Sequence, residues 1–238
     1  ILRLNYYLSS KSCIIILSFV NTAQKKMPAP ATTAFVLHRP NETSFKSPDD
    51  HPIVDALGSS ADPKPTCYDK ECCVKVALSR VGICGSDVHY WQHGRIGDFV
   101  LEGDMILGHE ASGVVVEVDE PGGGNSFDLK PGDRVALEPG VPCGDMQACE
   151  QCASGQYNLC PKVRFFATPP VHGVLRNFVQ HPGKFCHKLP DSVSQEEGAM
   201  CEPLSVGVYA CTRGEVSTGH SVVIFGAGPI GTICTLVA

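Results

Sequence analysis

The sequence predicts a mixed α/β fold, in which a β-barrel-like domain of short strands is followed by the opening strand and helix start of a second, doubly wound domain. Three observations predict it. Apolar runs broken by Gly/Pro turns fill residues 74–137, a cysteine-rich lobe follows them, and a glycine-patterned turn sits between two apolar stretches at the C-terminal end. The 238 residues are 43 % hydrophobic and 18 % charged with mean hydropathy near zero, enough to bury a sizeable core. A formal net charge of −6 without any basic block argues against nucleic acid and anionic membrane surfaces as partners.

Residues 1–26 precede the first methionine, Met27, and carry one apolar run, Cys13–Val20. That run is far short of the roughly 20 apolar residues a membrane-spanning helix needs, and no small-residue cleavage site follows it. The expectation is a leader, or an untranslated or artefactual segment, that is disordered and poorly packed. Residues 27–200 read as one domain, with Phe35–Leu37 as its first strand. Pro48, Pro52, Pro63 and Pro65 make Ser47–Thr66 a long surface loop. Val74, Val76 and Leu78 alternate as in a half-buried strand. Gly113–Val118 is a second strand, and Lys130–Leu137 is a turn leading into another. Ser194 and Glu197 form a capping box that starts a helix near Gln195. Pro203 suits the first turn of the next helix, which runs to Arg213 and stops at Gly214.

Residues 201–238 combine that linking helix with the start of the second domain. Ser221–Phe225 reads as a strand, and the tail to Ala238 as the opening of a helix. Between them Gly226, Gly228 and Gly231, with Pro229 and Ile230, complete G-x-G-x-x-G. Such glycines allow a tight turn, close approach of a pyrophosphate, and packing of helix on strand. The acid that reads a ribose would lie about 20 residues further on, as would the remaining parallel strands, so the chain reads as truncated within this domain.

Cys84 lies between Gly82 and Gly85, and the pair His109–Glu110 follows Gly108. Thiolate, imidazole and carboxylate together suit a catalytic zinc, which takes three protein ligands and leaves a fourth position open. Cys143, Cys149, Cys152 and Cys160, with five, two and seven residues between them, match a closed structural zinc site. Metal spacing rather than a disulfide framework implies a reducing, cytoplasmic compartment. Cys13, Cys67, Cys72, Cys73, Cys186, Cys201, Cys211 and Cys234 read as small buried hydrophobes or free thiols. Glu202 is an acid in an apolar setting, which is costly unless it is paired or near a cation.

The segments GICGSDVHYWQHGRIGDF, GHEASG, GDRVALEPGVPC, YNLCP, FFATPPVHG, KLPDSVSQEEGAMCEPLSVGVYAC and GAGPIG together resemble the zinc-dependent medium-chain dehydrogenases, and more narrowly their polyol branch. The resemblance implies a GroES-like catalytic domain followed by an NAD-binding Rossmann domain, here incomplete. It implies catalytic zinc on Cys84, His109 and Glu110, with Glu202 at the metal or the substrate, and Tyr90 in the substrate pocket. Ser86 and His89 would relay the proton released when a sugar alcohol is oxidised to a ketose. It implies NAD rather than NADP, and a homo-oligomer, dimer or tetramer, for the full-length form. Asp145–Gln147 stands out as an insertion expected to distort the four-cysteine site. Two alternatives stay open: a different alcohol substrate within the same superfamily, and an inactive zinc-binding GroES-like fragment. A zinc-free quinone reductase would not need Cys84, His109 and Glu110.

Overall fold

A computed structural model describes residues 2–9, 12–19, 33–46, 73–119 and 127–238. The loop read at Ser47–Thr66 lies outside the described residues.

The central pair of strands is β5 (Cys73–Gly82) and β9 (Glu110–Asp119), antiparallel from Cys73 opposite Asp119 to Gly82 opposite Glu110. The register slips between Lys75 and Val76 and between Leu78 and Arg80. Such irregularities bend a strand and sharpen its twist, and the second lies just before β5 ends at the candidate site. β9 continues the sheet through β10 (Arg134–Leu137) to β14 (Cys186–Lys188). The other edge of β5 is divided. β13 (Phe178–Pro182) pairs residues 73–77, and β2 (Ser12–Phe19) pairs residues 80–82. β1 (Leu2–Ser9) forms a hairpin with β2.

This hairpin departs from the disordered leader expected for residues 1–26. Ser12–Phe19 contains three consecutive isoleucines, Ile14–Ile16, β-branched residues that favour extended backbone. The edge of β5 beyond β13 offers them unpaired ladder positions. The mixed α/β, β-barrel-like expectation is met without closure: the seven-stranded sheet is open, and its end strands β1 and β14 do not pair among the described residues. A smaller sheet orders β3 (Ala34–Arg39) between β4 (Glu42–Lys46) and β8 (Met105–Ile106), while β6 (Arg95–Ile96) pairs β7 (Phe99–Val100) and β11 (Gly140–Val141) pairs β12 (Arg164–Phe165). β3 covers the strand read at Phe35–Leu37.

Apolar residues of both sheets meet in one core, including Val36, Leu37, Val74, Val76, Leu78, Val81, Ile106, Val135 and Phe166. Each fully buried aliphatic side chain of this kind contributes about 1.5–3 kcal/mol. His181 is wholly buried within it, stacked near Phe166 and Phe185, and its Nε2–H donates to the Glu138 carbonyl at 2.8 Å. Burial pulls its pKa from 6.5 down to about 4. A depressed folded-state pKa means that stability present above the unfolded value of 6.5 is lost as pH falls towards 4. The loss is about 3 kcal/mol, at roughly 1.4 kcal/mol per unit. Urea midpoints measured between pH 7 and pH 4 should fall accordingly, and His181→Gln, which keeps a donor for Glu138 without titrating, should flatten the curve.

After α1 (Gly85–His93) and the short α2 (Glu150–Ala153), the later helices follow the sequence closely. α3 (Gln195–Ala199) is capped by Ser194, whose hydroxyl accepts from the Glu197 backbone N–H while the Glu197 carboxylate accepts from the Ser194 N–H. α4 (Cys201–Arg213) ends at Gly214. α5 (Pro229–Val237) has Pro229 in its first turn, where a missing N–H costs nothing. Ser221–Phe225, by contrast, is not a strand. A strand is stabilised by its ladder, and no neighbour pairs this segment among the described residues; Phe225 is 96 % exposed. Cys73 also departs from the free-thiol reading, being disulfide-bonded.

Candidate metal centre

The β5–β9 ladder builds the site. β5 ends at Gly82, two residues before Cys84, and β9 begins at Glu110, so the Gly82–Glu110 pairing returns the intervening chain to its starting point. Cys84 Sγ, a His109 ring nitrogen and a Glu110 carboxylate oxygen come to lie within 4.8 Å of one another. His109 and Glu110 are buried and Cys84 is half-buried. A Cβ on residue 82 would sit 2.1 Å from Glu110 Oε2, so only glycine leaves the carboxylate its place. Gly82→Ala is therefore expected to displace Glu110 and lower zinc affinity with the strands intact, measured by chelator competition alongside circular dichroism.

Asp87, in the first turn of α1 (Gly85–His93), joins the two loops that carry these residues. Its carboxylate accepts from the Cys84 backbone N–H at 2.9 Å and from the Gly108 backbone N–H at 2.8 Å, and its Oδ1 lies 3.8 Å from His109 Nδ1. A carboxylate on that side of the imidazole orients the ring and leaves Nε2 for a metal. The sequence reading missed Asp87. Its signal was an acid three residues after a candidate cysteine ligand, at a helix start.

The electrostatics favour a cation. Burial favours a neutral His109, but the hydrogen bond with Cys84 and the charge of Asp87 outweigh it and push its pKa up to about 9. Burial, against the pull of His109, pushes Glu110 up to about 7. Glu202, in the first turn of α4, is also raised by burial, and the charges of His109 and Asp87 reach it. A metal ion would take the place of those protons, and the chemistry of a thiolate, an imidazole and a carboxylate is compatible with zinc.

Ser86 is half-buried and His89 exposed, so α1 leads from Cys84 towards the surface. Tyr90 is 2 % exposed and packs in the core rather than on an open face, and burial raises its pKa. At the turn before α5, Gly226 has φ +111°, and a Cβ on Gly231 would lie 1.9 Å from the Gly226 carbonyl oxygen. These glycines, with Gly228 capping the helix and Pro229 and Ile230 opening it, keep the turn tight.

The second cluster is Cys143, Cys149, Cys152 and Cys160, all within 4.8 Å. Cys143–Cys152, Cys149–Cys160 and Cys143–Cys160 sulfur pairs stand at 3.7, 3.8 and 3.6 Å. A tetrahedron with Zn–S of about 2.3 Å has edges of about 3.8 Å, so the thiols are set at zinc spacing. Against the effect of burial, backbone N–H groups of Cys143 and Lys162 bring the Cys160 thiol down to about 7. The Asp145–Gln147 insertion does not pull the four apart. Asp145 Oδ1 accepts from the backbone N–H groups of Gln147 at 3.0 Å and Ala148 at 2.8 Å, closing a turn that returns Cys149 to the cluster.

A clamp holds α3 and the turn before it to the sheet. Arg80 Nε donates to Glu196 at 2.6 Å, Gln195 Nε2 to the Gly113 carbonyl at 3.1 Å, and Ser112 Oγ to the Gln195 carbonyl at 2.5 Å. Arg134 donates to the carbonyls of Val193 at 2.7 Å and Pro190 at 2.8 Å.

Residues 69–191 match the alcohol dehydrogenase GroES-like domain. The chain belongs to that family. Among curated relatives of this GroES-like chain, mouse (Mus musculus) sorbitol dehydrogenase is 57 % identical over 165 residues, 69 % of this chain and 44 % of the relative. Probable D-xylulose reductase A of Aspergillus fumigatus is 53 % identical, with the same shares. The chain thus spans under half the length of the curated relatives it matches. An Escherichia coli alcohol dehydrogenase solved in complex with NADH has a TM-score of 0.65 and 26 % identity, covering 87 % of this chain and 53 % of that one.

Proposed function

We propose that this chain carries the metal-binding part of a zinc- and NAD-dependent polyol dehydrogenase, which interconverts a sugar alcohol of the sorbitol or xylitol type and a ketose. The observation that carries the reading is the convergence of Cys84, His109 and Glu110 beside Asp87 and Glu202, in a chain 57 % identical to a sorbitol dehydrogenase. Zinc held by Cys84, His109 and Glu110 supplies Lewis acidity that lowers the pKa of a substrate hydroxyl, and NAD supplies the hydride acceptor. Cys143, Cys149, Cys152 and Cys160 hold a second, structural zinc.

Glu202 accepts a hydrogen bond from the substrate or from a water beside the cluster, and Asp87 keeps the His109 ring in place. Ser86 takes the proton of the substrate hydroxyl as it passes its own towards His89, which exchanges with solvent. Tyr90 backs the substrate side from within the core. Gly226, Gly228, Pro229, Ile230 and Gly231 leave room for the cofactor pyrophosphate at the start of α5. NAD rather than NADP is supported by the polyol-branch motifs; of two solved relatives at 26 % identity, one holds NADH and the other NADP.

We further assign residues 27–200 to the catalytic domain and 201–238 to the linking helix and the start of the nucleotide domain. A cytoplasmic location and a homo-oligomeric full-length form belong to the same reading. Among the described residues no helix is long and apolar enough to cross a membrane. The unpaired segment Ser221–Phe225 favours a second reading, a zinc-binding GroES-like fragment without turnover. Zinc-loaded chain is incubated with NAD and either sorbitol or xylitol, and NADH absorbance is followed beside a Cys84→Ser control. NADH formation that requires Cys84 supports the dehydrogenase; no turnover and no saturable NAD binding supports the fragment.

A further inference from the structure

We propose that His89 and His93 form a separate, surface-accessible divalent-metal site on the outer face of α1. The two residues are four apart, so they stand one above the other on the same helical face. Both are exposed, and their rings lie 4.6 Å apart, centroid to centroid, tilted by 58°. Two imidazoles bound cis to one ion at about 2.1 Å place their centroids roughly 4.5–5 Å apart, so small ring rotations bring one nitrogen of each onto a common ion. The backbone beneath them is fixed: Asp87 anchors the first turn of α1, and the Gly94 N–H caps its end by donating to the Tyr90 carbonyl at 2.8 Å. The chelate is therefore held by a rigid turn, which reduces the ordering cost of binding.

Two neutral nitrogen donors with open remaining positions suit nickel, copper and zinc rather than magnesium or calcium, which prefer oxygen ligands. The site is distinct from the three-residue and four-cysteine clusters, neither of which includes His89 or His93. Binding itself does not depend on the proposed function. One consequence does rest on that reading: an ion on His89 withholds it from the proton path, so added metal should inhibit turnover.

The test uses the full chain with its cysteine sites already zinc-loaded. Ni2+ is titrated calorimetrically, and the thermal midpoint is recorded with and without Ni2+. The expected result is one added Ni2+ per chain, with a Ni2+-dependent rise in melting temperature. His93→Gln should abolish both effects, and His220→Gln, which removes an exposed histidine elsewhere, should leave both intact. His93→Gln and His89→Gln chains that are folded by circular dichroism yet bind Ni2+ as the parent does would overturn the site. Ni2+ binding that leaves NADH formation unchanged in an active preparation would instead count against the His89 proton path alone.

Discussion

Cys160→Ser is expected to cost the protein one zinc per chain and to unfold the 143–160 lobe. Cys160 is 2 % exposed and its sulfur pairs with those of both Cys143 and Cys149. The lobe has almost no other core: its buried apolar cluster consists of Cys149, Cys152 and Cys160, with Cys143 packed against them. In small structural sites the binding free energy of zinc, about 10–16 kcal/mol, is folding free energy. Weakening one of four ligands should therefore destabilise the protein by on the order of 4 kcal/mol, at the large end for a point substitution. Metal analysis, thermal melting and limited proteolysis read the three consequences separately. An unchanged zinc content with an intact lobe would show that these thiols hold no metal.

Asp87→Ala should loosen the Cys84–His109–Glu110 centre without touching a ligand. It leaves the backbone N–H groups of Cys84 and Gly108 without their acceptor, and each unsatisfied buried donor costs about 1–3 kcal/mol. It also removes the carboxylate facing His109 Nδ1. Loss of such a supporting group typically lowers metal affinity 10–100-fold, and competition against a chromogenic chelator measures it. Asp87→Asn separates the contributions. Its amide oxygen replaces one acceptor, but its NH2 then faces the other N–H, so the asparagine form should bind zinc little better than the alanine form. Unchanged affinity in both would remove Asp87 from the site.

The clustering of Cys84, His109 and Glu110 was legible because metal-binding patterns are narrow: few alternatives explain a cysteine and a His–Glu pair, each beside glycine. The helices were legible because their signals are local, as at Ser194, Glu197, Pro203 and Gly214. Asp87 was not, because its importance is a contact across 21 residues that only the β5–β9 ladder creates. Ser221–Phe225 has the composition of a strand, yet strand formation depends on a partner and not on composition alone. The opposite error came at Leu2–Ser9 and Ser12–Phe19, where an available edge of β5 completes a pairing that the segment itself does not announce.

The clamp on Glu196, Gln195 and Val193 makes α4 a lever. Its near end, with Glu202, follows α3 after Met200 alone, and α3 is pinned to the sheet. Further along, Gly207 lets Ile233 of α5 pack close, and the Cys211 thiol donates to the Cys234 carbonyl. The helix is about 20 Å long, so a tilt of about 3° about the pinned end carries the far end through about 1 Å. The same tilt leaves Glu202 almost where it was. A ligand settling into the glycine turn can therefore be drawn towards or away from the cluster while Glu202, near the pivot, keeps its place.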